Sequence, residues 1–155
     1  MLIDLDATDR NLLRLLQADA RMTNAALAEK VHLSPSACLR RVRRLEESGV
    51  VTGYVAVLDR TMIGRGTSVF VEITLSSQQE DLLDEFETAV RDVPEVLSCH
   101  LMAGNSDYLV HVAADDVADY ERIHRTYLAL LPHVAQLRSS FALRTVCDRK
   151  AHELG

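Results

Sequence analysis

The stretch Ser34–Gly49, SPSACLRRVRRLEESG, constrains this chain more than any other. Ser34-Pro35 reads as a helix start, because a serine oxygen caps a free amide and proline loses nothing by lacking one in the first turn. Gly49 ends the helix as a C-terminal cap. On that helix Cys38, Val42 and Leu45 share one face, at i, i+4 and i+7. Ser36, Arg40, Arg43 and Arg44 point the other way, Arg41 lies at the edge of the buried face, and Leu39 sits on the opposite flank. A helix this short is marginal in water alone, so its apolar stripe needs neighbours. They lie upstream. A first helix runs from Asp6 to Ala18 with Leu12, Leu13, Leu15 and Leu16 at helical spacing, Asp6 and Asp9 suiting its N-terminal end. A second follows Thr23 through Leu27 to about Val31, and His32 and Leu33 make the turn.

An arginine-rich helix face in isolation reads most simply as solvated surface. Here the helix is third in a three-helix unit with short turns, and its acidic residues, Glu46 and Glu47, cluster at the far end. That is helix-turn-helix geometry, in which the N-terminal part of the second helix of the pair enters a DNA groove. Guanidinium groups match phosphate oxygens and the guanine N7/O6 edge in pairs. The candidate DNA-facing set is Ser34, Ser36, Ala37, Leu39, Arg40, Arg41, Arg43 and Arg44.

After Gly49, Val50–Leu58 reads as an extended strand interrupted by Gly53, and residues 61–66, TMIGRG, as a linker. The hydrophobic period then changes. Thr67–Leu75 alternates as a strand, Gln79–Asp92 is an amphipathic helix, and strands follow near Val96–Ala103 and Tyr108–Ala114 around a Gly104-Asn105-Ser106 turn. Asp116–Leu131 is a second helix, Gln136–Val146 a last strand, and 148–155 a polar, frayed tail. The expected class is α+β: a winged-type helix-turn-helix domain (1–60), the linker, and a ferredoxin-like βαββαβ domain (67–147) whose helices cover one sheet face. The other face would carry Phe70, Met102 and Ala142, with His100 and His111, a mixture that suits a partner sheet and hence a homodimer.

The net charge of −6 looks unsuited to DNA, but its distribution reverses that reading. Residues 1–60 hold nine Lys/Arg against eight Asp/Glu, residues 61–155 eight against fifteen. Only the first half is fit to approach phosphate. No apolar run is long enough to span a bilayer, and the acidic N-terminus is no secretory signal, so a cytoplasmic protein without membrane contact is expected. Cys38, Cys99 and Cys147 form neither a disulfide framework nor a zinc motif. His100, His111 and His124 lack compact ligand spacing, and no catalytic motif or phosphate loop is present, so neither a metal, a cofactor nor an enzymatic role is expected.

The turn before Tyr108 has chemistry of its own. Gly104 permits a tight turn and close ligand approach, Asn105 and Ser106 offer donors and acceptors, and Asp107 suits an ammonium group. The same composition also describes an ordinary polar hairpin loop.

The quoted residues resemble the leucine-responsive/asparagine-responsive (Lrp/AsnC, feast/famine) bacterial regulators across essentially the whole chain. The matching stretches are LDATDRNLLRLLQADAR, LSPSACLRRVRRLEESGVV, GYVAVLD and MAGNSDYLVHV. The resemblance implies a sequence-specific regulator of amino-acid metabolism binding double-stranded DNA, a homodimer that assembles into octamers, and a small amino-acid effector held between subunits. It implies effector contacts from Met102, Ala103, Gly104, Asn105, Asp107 and Tyr108 of one chain, with Ser139 and Ser140 of a neighbour. The family often has G-D-Y-D-Y where this chain has Gly104-Asn105-Ser106-Asp107-Tyr108, which bears on effector identity and not on fold. Sirohaem decarboxylases of the same architecture are the enzyme alternative. An amino-acid-binding module without DNA activity is a third reading, and it would leave the outward arginines without a role.

Overall fold

The computed structural model describes residues 3–154, in two compact units. One comprises the chain up to Ala56 together with residues from Val146 onward, the other Val57–Thr145.

The first unit holds α1 (Ala7–Ala18), α2 (Asn24–Lys30) and α3 (Pro35–Glu47). Each starts where a side chain satisfies an orphan amide. Asp6 accepts from Asp9 N at 2.8 Å while Asp9 accepts from Asp6 N at 3.2 Å, a reciprocal capping box. Thr23 accepts from Ala26 N at 3.2 Å, and Ser34 from Ala37 N at 3.3 Å. Leu12, Leu13, Leu16, Leu27, Ala28, Val31, Cys38 and Leu45 form the core, with Val42 half-buried against it. The turn between α2 and α3 places His32 at φ 56°, and Gly49 adopts φ 77° after α3, where its N–H reaches Glu46 O at 3.0 Å. A positive φ suits glycine and strains histidine.

Two expectations fail here. Val50–Leu58 forms no strand, because a strand needs a neighbour and none lies beside it among the described residues; Val55 is 87% and Val57 73% exposed. The tail is not frayed. Gln17 Nε2 donates to His152 O at 3.1 Å, His152 N returns to Gln17 Oε1 at 2.6 Å, Arg14 donates to the Leu154 carbonyl, and Leu154 packs against the helical core.

The second unit runs β1 (Thr67–Leu75), α4 (Glu80–Arg91), β2 (Val96–Leu101), β3 (Tyr108–Ala114), α5 (Val117–Thr126), a 3₁₀ turn (Leu128–Leu130) and β4 (Val134–Phe141). The sheet order is β2-β3-β1-β4, every adjacent pair antiparallel. This is the expected ferredoxin-like order. Val69, Val71, Ile73 and Leu75 pack with Val110 and Val112 against Phe86 and Val90 of α4 and Tyr120 and Ile123 of α5, so both helices cover one face. The opposite face carries Phe70 stacked on His111, with ring centroids 4.6 Å apart. Register puts Ser98, His100 and Ser140 on that same open face. The last helix ends a turn early, and β4 starts two residues before the expected boundary and ends five before it. No helix among the described residues is long and apolar enough to cross a membrane.

Candidate nucleic-acid interface and effector turn

The outward face of α3 is built by what lies beneath it. Cys38 and Leu45 are fully buried, which fixes the helix's rotation and presents Ser36, Leu39, Arg40 and Arg43 to solvent. Arg40 and Arg43 have no partner among the described residues. Ser34 and Ser36 hydroxyls lie 3.2 Å apart at the helix start, and Ala37 is half-buried beside them.

Arg44 departs from its expected outward role, and Arg41 is occupied too. Both guanidinium groups turn back to α1. Arg41 Nη1 donates to Asp6 Oδ2 at 2.7 Å and Asp9 Oδ1 at 2.9 Å, and Arg44 Nη2 donates to Asp9 Oδ2. Asp9 is 1% exposed, so its charge is compensated by these arginines and the Asp6 amide. The Asp9 amide, and after it the Arg41 guanidinium, holds the Asp6 carboxyl below the usual carboxylate range. The same contacts, Asp6 first and then Asp9, raise Arg41. Sequence reading found the capping role of Asp9 but not its partners on α3, because only the fold brings them together.

The candidate effector turn is divided by burial. Met102, Ala103, Gly104 and Asn105 are exposed, whereas Asp107 and Tyr108 are buried. The expected ammonium partner Asp107 faces inward: Oδ2 accepts from Leu75 N at 2.7 Å and Oδ1 from Gln78 Nε2 at 2.6 Å. Its backbone ties the turn down, with Asp107 N donating to Ile73 O at 2.9 Å and Met102 N to Asp107 O at 2.8 Å. The Tyr108 hydroxyl is occupied as well, donating to Glu87 Oε1 at 2.9 Å while its ring packs on Phe86 at 4.5 Å. Ser139 and Ser140 are separated by the pleat. Ser139 faces the helices and shares a hydrogen bond with Tyr120, whereas Ser140 pairs with Phe70 on the open face. A single ligand on one face therefore cannot take both side chains. Gly104 does not adopt a positive φ, and a Cβ there would meet nothing within 4 Å, so the fold of one chain does not require glycine. Beside the turn lies a recess of about 110 Å³ lined by Glu72, Thr74, Asn105, Ser106, Gln136 and Arg138. A larger cleft of about 420 Å³ opens between α4 and β2, over Tyr108 and Cys99. Among the described residues no group of His, Cys, Asp and Glu is arranged to hold a metal.

A capped helix-turn-helix joined to a βαββαβ unit is matched by two family models: a winged helix-turn-helix DNA-binding model over residues 5–52 and the Lrp/AsnC ligand binding domain over 68–152. The chain belongs to the Lrp/AsnC family. Relatives include the Bkd operon transcriptional regulator of Pseudomonas aeruginosa, 42% identical over 97% of this chain and 99% of the relative. The leucine-responsive regulatory protein of Escherichia coli is 41% identical over 92% and 87%. Among solved structures, a transcriptional regulator from Neisseria meningitidis in complex with L-methionine superposes with a TM-score of 0.90 at 34% identity, covering 97% of each chain. An AsnC family regulator from Agrobacterium tumefaciens gives 0.91 at 34%, covering 96% and 97%. This Lrp/AsnC chain is thus a transcriptional regulator with a DNA-binding helix-turn-helix and a ligand-binding domain.

Proposed function

We propose that the protein regulates genes of amino-acid metabolism by inserting the N-terminal half of α3 into the major groove, under control of a small amino acid. The carrying observation is the pair Arg40 and Arg43, exposed and without a partner among the described residues, on a helix whose opposite face is locked in the core. In this reading they contact base edges and phosphates with Ser36, while Ser34, Ala37 and Leu39 line the approach.

The effector binds the exposed part of the turn, Met102–Asn105, with Ser140 of a neighbouring subunit; Asp107 and Tyr108 hold the turn's shape. The unfilled space beside Gly104 and the polar recess next to Asn105 support this assignment. So does the L-methionine held by the Neisseria regulator. The protein acts as a homodimer, assembled further into octamers, with Val50–Leu58 of two copies supplying each other's missing strand partner; exposed Val55 and Val57 support that pairing. It works in the cytoplasm on the bacterial nucleoid.

Footprinting on the protein's own upstream region, with and without each standard amino acid, tests the reading. Protection at low salt, weakened roughly tenfold or more by Arg40→Ala or Arg43→Ala, is expected. Absence of protection under every condition overturns it.

A further inference from the structure

We propose that Asp9 is a positioning residue for DNA readout: it withholds Arg44, and together with Asp6 Arg41, from the DNA, leaving Arg40 and Arg43 as the guanidinium groups of α3 that reach it. The inference rests on α3 being the DNA-reading helix.

Four arginines within five residues, Arg40, Arg41, Arg43 and Arg44, would otherwise form one undifferentiated cationic surface. Such a surface favours any duplex, because phosphate contacts carry no sequence information. The first turn of α1 divides the set. Asp9 is a buried carboxylate whose oxygens take Arg41 at 2.9 Å, Arg44, and the Asp6 amide at 3.2 Å. Asp6 holds Arg41 a second time, at 2.7 Å. An arginine leaving this arrangement for a phosphate would uncover a buried negative charge, whereas Arg40 and Arg43 surrender only water. The ion pairs therefore cap the number of phosphate contacts and, through it, the non-specific affinity. Asp9 lies outside α3 and need not touch DNA.

The test measures binding of the full chain to a random-sequence duplex across salt concentrations. Asp9→Asn keeps the shape and an acceptor for the Asp6 amide but removes the charge, so Arg44 is released first while Arg41 retains Asp6. One additional phosphate contact steepens the log K against log[salt] slope by about 0.9, so the affinity lost between about 50 and 200 mM salt grows by about 3.5-fold. Arg44→Gln in the wild-type background should leave the slope unchanged, and adding it to Asp9→Asn should restore the wild-type slope. A merely structural role for Asp9 would lower affinity without steepening the slope. An unchanged slope in Asp9→Asn protein that is folded at the assay temperature overturns the proposal. So does a flatter slope for Arg44→Gln alone, a result that stands even if the Asp9 variant does not fold. Arg43→Gln separates the two levels: if it leaves the slope unaltered, α3 is not the reading helix and the reading beneath the proposal fails.

Discussion

Replacing Asp107 separates a residue that shapes the proposed effector turn from one that binds an effector. The carboxylate is 7% exposed and accepts from the Leu75 amide at 2.7 Å, a contact buried on both sides. In Asp107→Ala that amide loses its partner inside the domain, and leaving a buried donor unsatisfied costs about 1–3 kcal/mol. The bond from Gln78 adds little, because Gln78 is exposed and its amide returns to water. A central value of about 2 kcal/mol corresponds to a midpoint lowered by roughly 8–16 °C for a unit of this size. Asp107→Asn keeps an oxygen for Leu75 N and can present its NH₂ to a reoriented Gln78, so its loss should stay under about 1 kcal/mol. Scanning calorimetry resolves the effect if the transition of the Val57–Thr145 unit moves while that of the helical unit does not. An Asp107→Ala midpoint matching wild type would refute the assignment of this carboxylate as the clamp of the turn. Asp107→Asn should also retain whatever effector response the protein has, since its charge faces the protein.

Ser139→Ala, which strips the Tyr120 hydroxyl of its partner, should cost about 1 kcal/mol in urea denaturation and leave effector response intact, whereas Ser140→Ala should alter the response without destabilising the unit. The Cys99 thiol is pushed up to about 11, by burial first and by Glu87 second. Its neutral form dominates at pH 8, so alkylation mapped by mass spectrometry should be slow there, rise about tenfold per pH unit until the thiol titrates, and lag far behind exposed Cys147. His32→Gly relieves the left-handed backbone in the α2–α3 turn and should raise the stability of the helical unit by up to about 1 kcal/mol in thermal unfolding; a loss would contradict that account.

Local signals carried most of the fold. The Ser34-Pro35 start, the Cys38 and Leu45 positions and the Gly49 stop stand where the sequence puts them, because capping and periodicity act within one or two turns. The alternation of Val69, Val71, Ile73 and Leu75 likewise assigned the buried face of β1. What escaped was long-range chemistry. The Asp9–Arg41 and Asp9–Arg44 ion pairs join residues 32 and 35 positions apart, and the tail reaches Gln17 from 135 positions away. Neither leaves a periodic trace. Ser139 and Ser140 escaped for a different reason: adjacent residues on a strand point to opposite faces, so the pleat separates two side chains that their adjacency in sequence puts together.

The two units differ in how complete they are within one chain. In the helical unit every core position of α3 has its neighbour, its caps are satisfied and its buried charge is paired. In the ligand-binding unit several surfaces lack cover within one chain: the Phe70–His111 stack on the open sheet face, the space beside Gly104, and Val57, 73% exposed at the start of the unit. Apolar groups left in water at about 25 cal/mol per Å² favour association. If α3 reads DNA and copies associate as proposed, a helix finished in one copy, joined to a ligand unit that lacks cover in one copy, gives assembly a direct hold on ligand response. On the proposed reading, DNA contact geometry is set inside the protomer, by Asp9 and the α3 core, and effector sensitivity between protomers.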